Sequence, residues 1–287
     1  DGVHLGHQQV IKALVHKAKA LNSVAAVLVF EPQPQELFSP ETAPARLCRL
    51  RDKYNLLAQL GVQRLICVNF TLTFANQSAQ HFIEHLLVNK LGIKHLIVGD
   101  DFHFGNDRCG DFAFLQKTGE VHGFSVENTC TYEINGERVS STRIRAALEA
   151  GEFELVTSLL GRHFSISGRV VHGDRIGRTI GVPTANVLLQ RTVSPLSGVF
   201  AVEVSIVGPR SSTDVSGVAN VGTRPTVAGT QMRLEAHLLD FNSNIYGQRV
   251  IVSFRQKIRS EEKFEGLDAL KAQIANDIDA AKMFFMQ

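Results

Sequence analysis

The hydrophobic pattern of this chain changes once, at Gly161, and that change limits the fold more than any other feature. Before it, apolar runs at 24–30, 64–69 and 95–99 are rich in Val, Ile and Leu. Such runs read as strands buried on both faces of a parallel sheet. Amphipathic stretches at 8–21, 45–60 and 78–91 lie between them, and strand–helix alternation predicts a doubly wound α/β domain. Two shorter helices, 142–150 and 153–160, follow with Gly151 and Gly161 as stops. After Gly161, runs at 164–171, 199–207, 215–220, 233–241 and 249–258 alternate with period two or are β-branched. Gly173, Pro183, Gly198, Pro209, Pro225, Gly229 and Gly247 punctuate them. This predicts a small antiparallel barrel or sandwich, closed by an amphipathic helix over 267–284. The fold class is therefore α/β plus β, with domains at 1–160 and 161–287.

Composition narrows the function classes. The 287 residues are ample for two cores without disulfide or metal staples. The 30 basic and 28 acidic side chains leave a formal charge of +2, too little to make nucleic acid or a membrane surface the expected partner. Cys48, Cys67, Cys109 and Cys130 show no zinc-knuckle or redox spacing, so reduced thiols in a cytoplasmic protein are expected. The longest aliphatic run, 24–30, is far short of the ~20 residues that cross a bilayer. No signal peptide is visible. The chain opens on Asp1 without a Met, which leaves N-terminal targeting open.

Two groups of residues in the first half carry chemistry. The opening Asp1-Gly2-Val3-His4-Leu5-Gly6-His7 sets two imidazoles three apart just before a helix. A helix N-terminus attracts anions, glycine admits close backbone approach, and the histidines can donate to phosphate oxygens. A pair of surface or metal-binding histidines fits the same spacing. Far downstream, Ser140-Ser141-Thr142-Arg143-Ile144-Arg145 opens another helix. Hydroxyls at that position ordinarily serve as N-caps. Two arginines in the first turn oppose the helix dipole unless an anion offsets them, which points to a phosphate ligand.

These motifs, with Phe30-Glu31-Pro32-Gln33-Pro34 and Gly99-Asp100-Asp101-Phe102-His103-Phe104-Gly105 between them, resemble the nucleotidylyltransferase superfamily. As a set they resemble the FAD synthetase module of bacterial bifunctional riboflavin kinase/FAD synthetases. The resemblance implies that His4 and His7, then Ser141, Thr142 and Arg145, bind ATP during adenylyl transfer to FMN. It further implies nucleotide and flavin contacts at Asp101 and Phe102, beyond a strand end where ligands sit in open α/β sheets. Families with the HxGH element place a central strand before the Asp, so the first domain is expected to lack its first strand in this sequence.

In the second half, 168–181 holds four glycines. Gly168 and Gly173 have P-loop spacing, but Asp174 stands where that motif needs Lys. A plain hairpin turn fits as well. Pro183-Thr184-Ala185-Asn186 follows, where a hydroxyl and an amide two apart on extended chain face one way and offer oxygens to a hard cation. The glycine turn, this motif, 217–226 and 234–241 resemble, in the same order, the riboflavin kinase module of that bifunctional family. The resemblance implies ATP contacts at Gly173, Thr184 and Asn186, with Mg²⁺ at Thr184 and Asn186. It also implies that Glu235 is the base that activates the riboflavin hydroxyl. Period two puts Arg233, Glu235 and His237 on one face of their strand, a pattern that by itself reads as a solvated face. The loop 257–264, with Arg259 and Glu261, is implied to help cover the flavin.

One motif competes. His81-Phe82-Ile83-Glu84-His85 fits the inverted zinc-protease pattern but lacks a nominated third ligand, and an amphipathic helix accounts for it better. The expected function is ATP-dependent phosphorylation of riboflavin to FMN, then adenylylation of FMN to FAD with release of pyrophosphate and Mg²⁺ serving both steps. Rivals are a single-activity adenylyltransferase for another phosphate substrate and a tRNA-handling protein, since HxGH also resembles an aminoacyl-tRNA synthetase motif. Against the latter, no Lys-Met-Ser-Lys-Ser occurs and no strand face is basic and aromatic.

Overall fold

The structure is a computed structural model that describes residues 1–99, 101–106, 108–129, 131–173, 181–189, 193–208, 211–226 and 229–286. The glycine turn over 174–180, Asp100 and Cys130 lie outside the described residues. The chain forms two compact units. One comprises Val3–Pro44 and Arg49–Ser140; the other comprises Asp1–Gly2, Ala45–Cys48 and Ser141–Gln287. Among the described residues, no helix is long and apolar enough to cross a membrane.

The first unit alternates helices and parallel strands, as its apolar pattern predicts. Helix α1 (Leu5–Ala20) ends in Lys17 and Lys19, which complement its dipole, and leads into strand β1 (Ala26–Glu31). Helices α2 (Pro34–Phe38) and α3 (Leu50–Gln59) precede β2 (Arg64–Asn69). Ile11 of α1 and Leu57 of α3 pack with Val27 and Leu65 beneath the β1–β2 pair. The short helices α4 (Leu72–Ala75) and α5 (Ala79–His81) follow, and α5 runs into a π-helical stretch, Phe82–Lys90. That stretch ends with the Leu91 amide bonded to the Leu86 carbonyl, five residues back. Then come β3 (His95–Gly99), α6 (Phe112–His122) and β4 (Ser125–Thr129). A hairpin of β5 (Glu133–Ile134) and β6 (Glu137–Arg138) turns on Asn135 and Gly136, both at positive φ, the pairing that a type I′ turn selects.

Strands β1 and β2 pair in parallel, as do β3 and β4, forming two two-stranded sheets. One apolar cluster takes Leu28 and Phe30 from β1 and Leu96 and Val98 from β3. The expectation of strands buried on both faces needs correcting: every residue of β1 is only half-buried, and in β3 only Val98 is buried. The reason is that, among the described residues, each of these strands has a single hydrogen-bonded neighbour to flank its side chains.

In the second unit, α7 (Ser141–Ala150) and α8 (Phe153–Leu160) precede an antiparallel, closed barrel. Its strands are β7 (Ser165–Val171), β8 (Ala185–Leu188), β9 (Gly198–Val207), β10 (Ser212–Thr226), β11 (Gly229–Leu238) and β12 (Arg249–Arg259), in the order β10-β11-β8-β7-β12-β9. Closure decides between barrel and sandwich. Phe200 and Phe254 meet edge to face at 5.2 Å, with Phe164 against Phe254 and Phe153 of α8 against Phe200. On the alternate positions, Val199 and Ala201 pack with Val218 under Ala281 of the terminal helix α9 (Leu267–Phe285). The first half of β9 is therefore apolar and buried on both faces, while Glu203 and Ser205 leave its second half partly exposed on one.

Candidate active sites

In the first unit the two opening histidines come together. His4 caps α1, its Nδ1 accepting the His7 amide N–H at 3.4 Å, and the two rings stack with centroids 3.7 Å apart. A Cβ at Gly6 would crowd the His4 ring at 3.2 Å, so glycine here makes room for that ring. Burial pulls the His7 pKa down to about 2, assisted by the nearby charges of His4 and Lys53. Its buried Nδ1 has no hydrogen-bond partner among the described residues. A neutral imidazole with an unspent nitrogen, on a helix whose first turn holds no acidic residue, is suited to receive an anion.

Asp101 and Phe102 stand beyond the carboxyl end of β3. Asp101 is exposed and lies 3.6 Å from the exposed Arg138, a pairing worth little in water. Phe102 stacks on Phe104 at 5.4 Å. At the ends of β1 and β2, Phe30 and Phe70 meet at 5.2 Å, and Phe38 of α2 stands edge-on to Phe70 while 60% exposed. Aromatic surface is thus open to solvent beside the strand ends.

The head of α7, in the second unit, is laced to Asp1. Ser141 Oγ donates to the Asp1 carbonyl at 2.8 Å, so its proton is committed there. Arg145 Nε donates to the Ala45 carbonyl at 2.6 Å, and its Nη2 lies 3.3 Å from Asp1 Oδ2. Burial lowers the pKa of this guanidinium from its ordinary value. Thr142 is exposed. The Asp1 carboxylate also accepts the backbone N–H groups of Leu47 at 2.6 Å and Cys48 at 3.3 Å. This corrects the helix expected from residue 45: those amides bond to Asp1, and the helix begins at Leu50.

In the barrel, Asn186 of β8 and Glu235 of β11 are direct cross-strand partners. Ala185 and Val187 are buried, while Thr184 and Asn186 are half-exposed; Leu234 and Ala236 are buried, while Glu235 is half-exposed. Alternation therefore puts Thr184, Asn186 and Glu235 on the outer face. A Cβ at Gly173 would collide with the Asn186 amide, so glycine lets the backbone lie directly over that side chain. Asn220 of β10 pairs with Glu235 from the other side. The result is a row of polar side chains across three strands, roofed at one end by a glycine.

Comparison with known proteins bears on both arrangements. Residues 1–143 match the family model described as FAD synthetase, and residues 160–285 match that described as riboflavin kinase. The bifunctional riboflavin kinase/FMN adenylyltransferase of Escherichia coli (strain K12) is 52% identical over 285 residues, covering 99% of this chain and 90% of that protein. The Haemophilus influenzae protein of the same name is 50% identical over 285 residues, covering 99% of this chain and 92% of its own length. The chain belongs to the bifunctional riboflavin kinase/FMN adenylyltransferase family. The fold agrees with a solved structure as well: a macrolide-efflux protein from Streptococcus pneumoniae, 31% identical, superposes with a TM-score of 0.79 over 96% of this chain and 89% of that one.

Within the riboflavin kinase half, the two loop residues singled out by sequence part company. Arg259 forms a bidentate pair with Asp277 of α9, with Nε to Oδ1 and Nη2 to Oδ2 both at 2.8 Å. It also donates to the Ser260 carbonyl and sits over the Phe264 ring. Its fork is thus largely spent inside the protein. The Glu261 carboxylate packs onto Gly222, where any Cβ would strike it, and burial pushes its pKa up. In the FAD synthetase half, His81 and His85 stack at 5.0 Å, while Glu84 accepts from Gln80 and faces His122. Sequence reasoning missed Asp1, Arg162, Asn220 and Asp277. Only Asp277 had a readable signal: an acidic residue on the buried side of an amphipathic helix calls for a cation.

Proposed function

We propose that the two reactions of this bifunctional enzyme lie in separate stretches of the chain, adenylyl transfer in 1–160 and riboflavin phosphorylation in 161–287. In the first reaction the riboflavin 5′-hydroxyl attacks the ATP γ-phosphorus, ADP departs and FMN forms. In the second an FMN phosphate oxygen attacks the α-phosphorus of another ATP, and pyrophosphate departs as FAD forms. Both are in-line displacements governed by positioning and charge neutralisation.

The observation that carries the kinase assignment is the pairing of Asn186 with Glu235 beneath Gly173. Glu235 takes the riboflavin hydroxyl proton, Gly173 admits the ATP phosphates, and Thr184 and Asn186 hold the cation. Mg²⁺ suits this donor set, since an alcohol and an amide oxygen on one face are hard ligands. Bound there, it neutralises phosphate charge. Glu261 lies along the flavin, and Arg259 acts by holding that segment to α9. For adenylyl transfer, His4 and His7 contact the ATP phosphates, His7 through its unspent nitrogen. Ser141, Thr142 and Arg145 bind ATP, and Asp101 and Phe102 bind the flavin nucleotide. The substrates riboflavin, FMN and ATP need neither nucleic acid nor membrane. ATP as substrate favours the cytoplasm.

The test is product analysis after incubation with ATP and Mg²⁺, first with riboflavin and then with FMN. FMN and FAD from the first and FAD from the second are expected. FAD only when FMN is supplied would reduce the protein to a single adenylyltransferase.

A further inference from the structure

Asp1 is used more fully than a loop residue needs to be. Its side chain is 5% exposed, and its carboxylate accepts two backbone amides and lies against Arg145, while its carbonyl takes the Ser141 hydroxyl. The segment carrying it is laced to Ala45–Cys48 a second time: Arg162 Nη2 donates to the Gly2 carbonyl at 2.5 Å and lies 3.9 Å from Cys48 Sγ. Gly2 itself has φ +83°, and a Cβ there would lie 2.8 Å from Leu47 Cδ1, so only glycine brings the two segments this close. The carboxylate is therefore held rigidly before it meets any cation.

We infer that Asp1 is a positioning residue for adenylyl transfer that acts by orienting the Arg145 guanidinium. The inference rests on the reading of Arg145 as an ATP ligand. A guanidinium is a planar fork, and two fixed acceptors on one side determine its plane. Here the acceptors are the Ala45 carbonyl and the Asp1 carboxylate, at Nε and Nη2. Nη1 has no hydrogen-bond partner among the described residues and stays available for a phosphate oxygen. The carboxylate also offsets a cation placed in the early turns of α7, where the helix dipole disfavours it. Ser141 contributes to the same clasp, because its hydroxyl proton already points at the Asp1 carbonyl.

The experiment is a double-mutant cycle read in both reactions of the intact protein. Asp1→Asn keeps the size and one of the two oxygens that accept the Leu47 and Cys48 amides, and removes the charge that steers Arg145. For FMN adenylylation it should lower kcat/KM for ATP about 10- to 100-fold, the scale on which mispositioning acts. Riboflavin phosphorylation should be nearly unchanged, while the melting temperature should fall modestly, because one buried amide loses its acceptor and Arg145 loses its counter-charge. Arg145→Ala should cause a loss at least as large, and Asp1→Asn/Arg145→Ala should be no worse than Arg145→Ala alone. Asp1→Glu, which keeps the charge, should recover part of the activity. An Asp1→Asn enzyme with normal adenylylation, beside an impaired Arg145→Ala enzyme, would overturn the inference and leave the ATP role of Arg145 standing. Normal adenylylation by Arg145→Ala would overturn that role itself. Multiplicative losses in the double mutant, or a parallel fall in both reactions and in melting temperature, would make Asp1 a structural residue only.

Discussion

His7 combines burial, a stacked partner and an unspent nitrogen, and its depressed pKa makes it a contributor to stability. Burial favours its neutral form in the folded protein, so the folded pKa lies at about 2, below the ordinary 6.5. The unfolded chain takes up the proton first. His7 therefore contributes stability that is fully present above pH 6.5 and is lost as pH falls below it. Between pH 7.5 and 5.5 the loss should be about 1 kcal/mol, from about 1.4 kcal/mol per unit once below the unfolded value. Denaturant titrations of wild type and His7→Gln across that range check it; parallel pH profiles would refute it. Glu235 tests different chemistry. Glu235→Gln keeps size and hydrogen bonding but cannot take a proton, so riboflavin phosphorylation should fall by about 10²–10⁴ in kcat. At this scale the sequence names the candidates but not their partners: nothing near His4 in sequence indicates that Gly6 makes room for its ring, or that Ser141 bonds to Asp1.

Elements differ in how much of their context the sequence holds. β11 is legible, because alternation of Leu234, Ala236 and Leu238 with Arg233, Glu235 and His237 is a local property of extended chain. β8 escapes sequence reading, because Ala185–Leu188 is too short for a period to register and is a strand only through pairing with β7 and β11. The stretch over 45–48 reads as helix, yet Asp1 takes its amides. α9 is legible as an amphipathic helix, and its buried Asp277 is the clue to Arg259. With the Asp277 side chain only 4% exposed, truncating it strands a largely buried guanidinium. Asp277→Ala should destabilise the second unit by about 3 kcal/mol. Thermal melts should show Asp277→Ala well below wild type. A change within ±0.5 kcal/mol would mean that Arg259 simply turns to solvent. α8 is attached to the barrel in the same way, through Phe153 against Phe200. A fragment starting at Gly161 should thus melt below one starting at Gly151, by the equivalent of about 3 kcal/mol for an uncovered Phe. Equal melting temperatures would show α8 to be dispensable.

For the whole molecule, the two reactions should separate by mutation. His7→Ala should cut FAD formation by about 10²–10³ while riboflavin still becomes FMN. Glu235→Ala should stop FMN formation, yet FAD should form when FMN is supplied. Chromatography of the flavin products from each variant with each flavin decides this, and a variant that loses both activities together would count against separate sites. The sequence alone determined two kinds of domain, because the periods of apolar residues, near 3.6 and 2, are local consequences of helix and strand geometry. It also determined the family, because HxGH, SSTxIR and the Pro-Thr-Ala-Asn motif are short and contiguous. Tertiary structure alone decided that the antiparallel strands close into a barrel, that Asn186 and Glu235 face each other, and that Asp1 holds Arg145 from 144 positions away. Those are pairings between distant segments, set by which buried hydrogen-bonding groups find partners when the chain closes on itself, and no local periodicity encodes them.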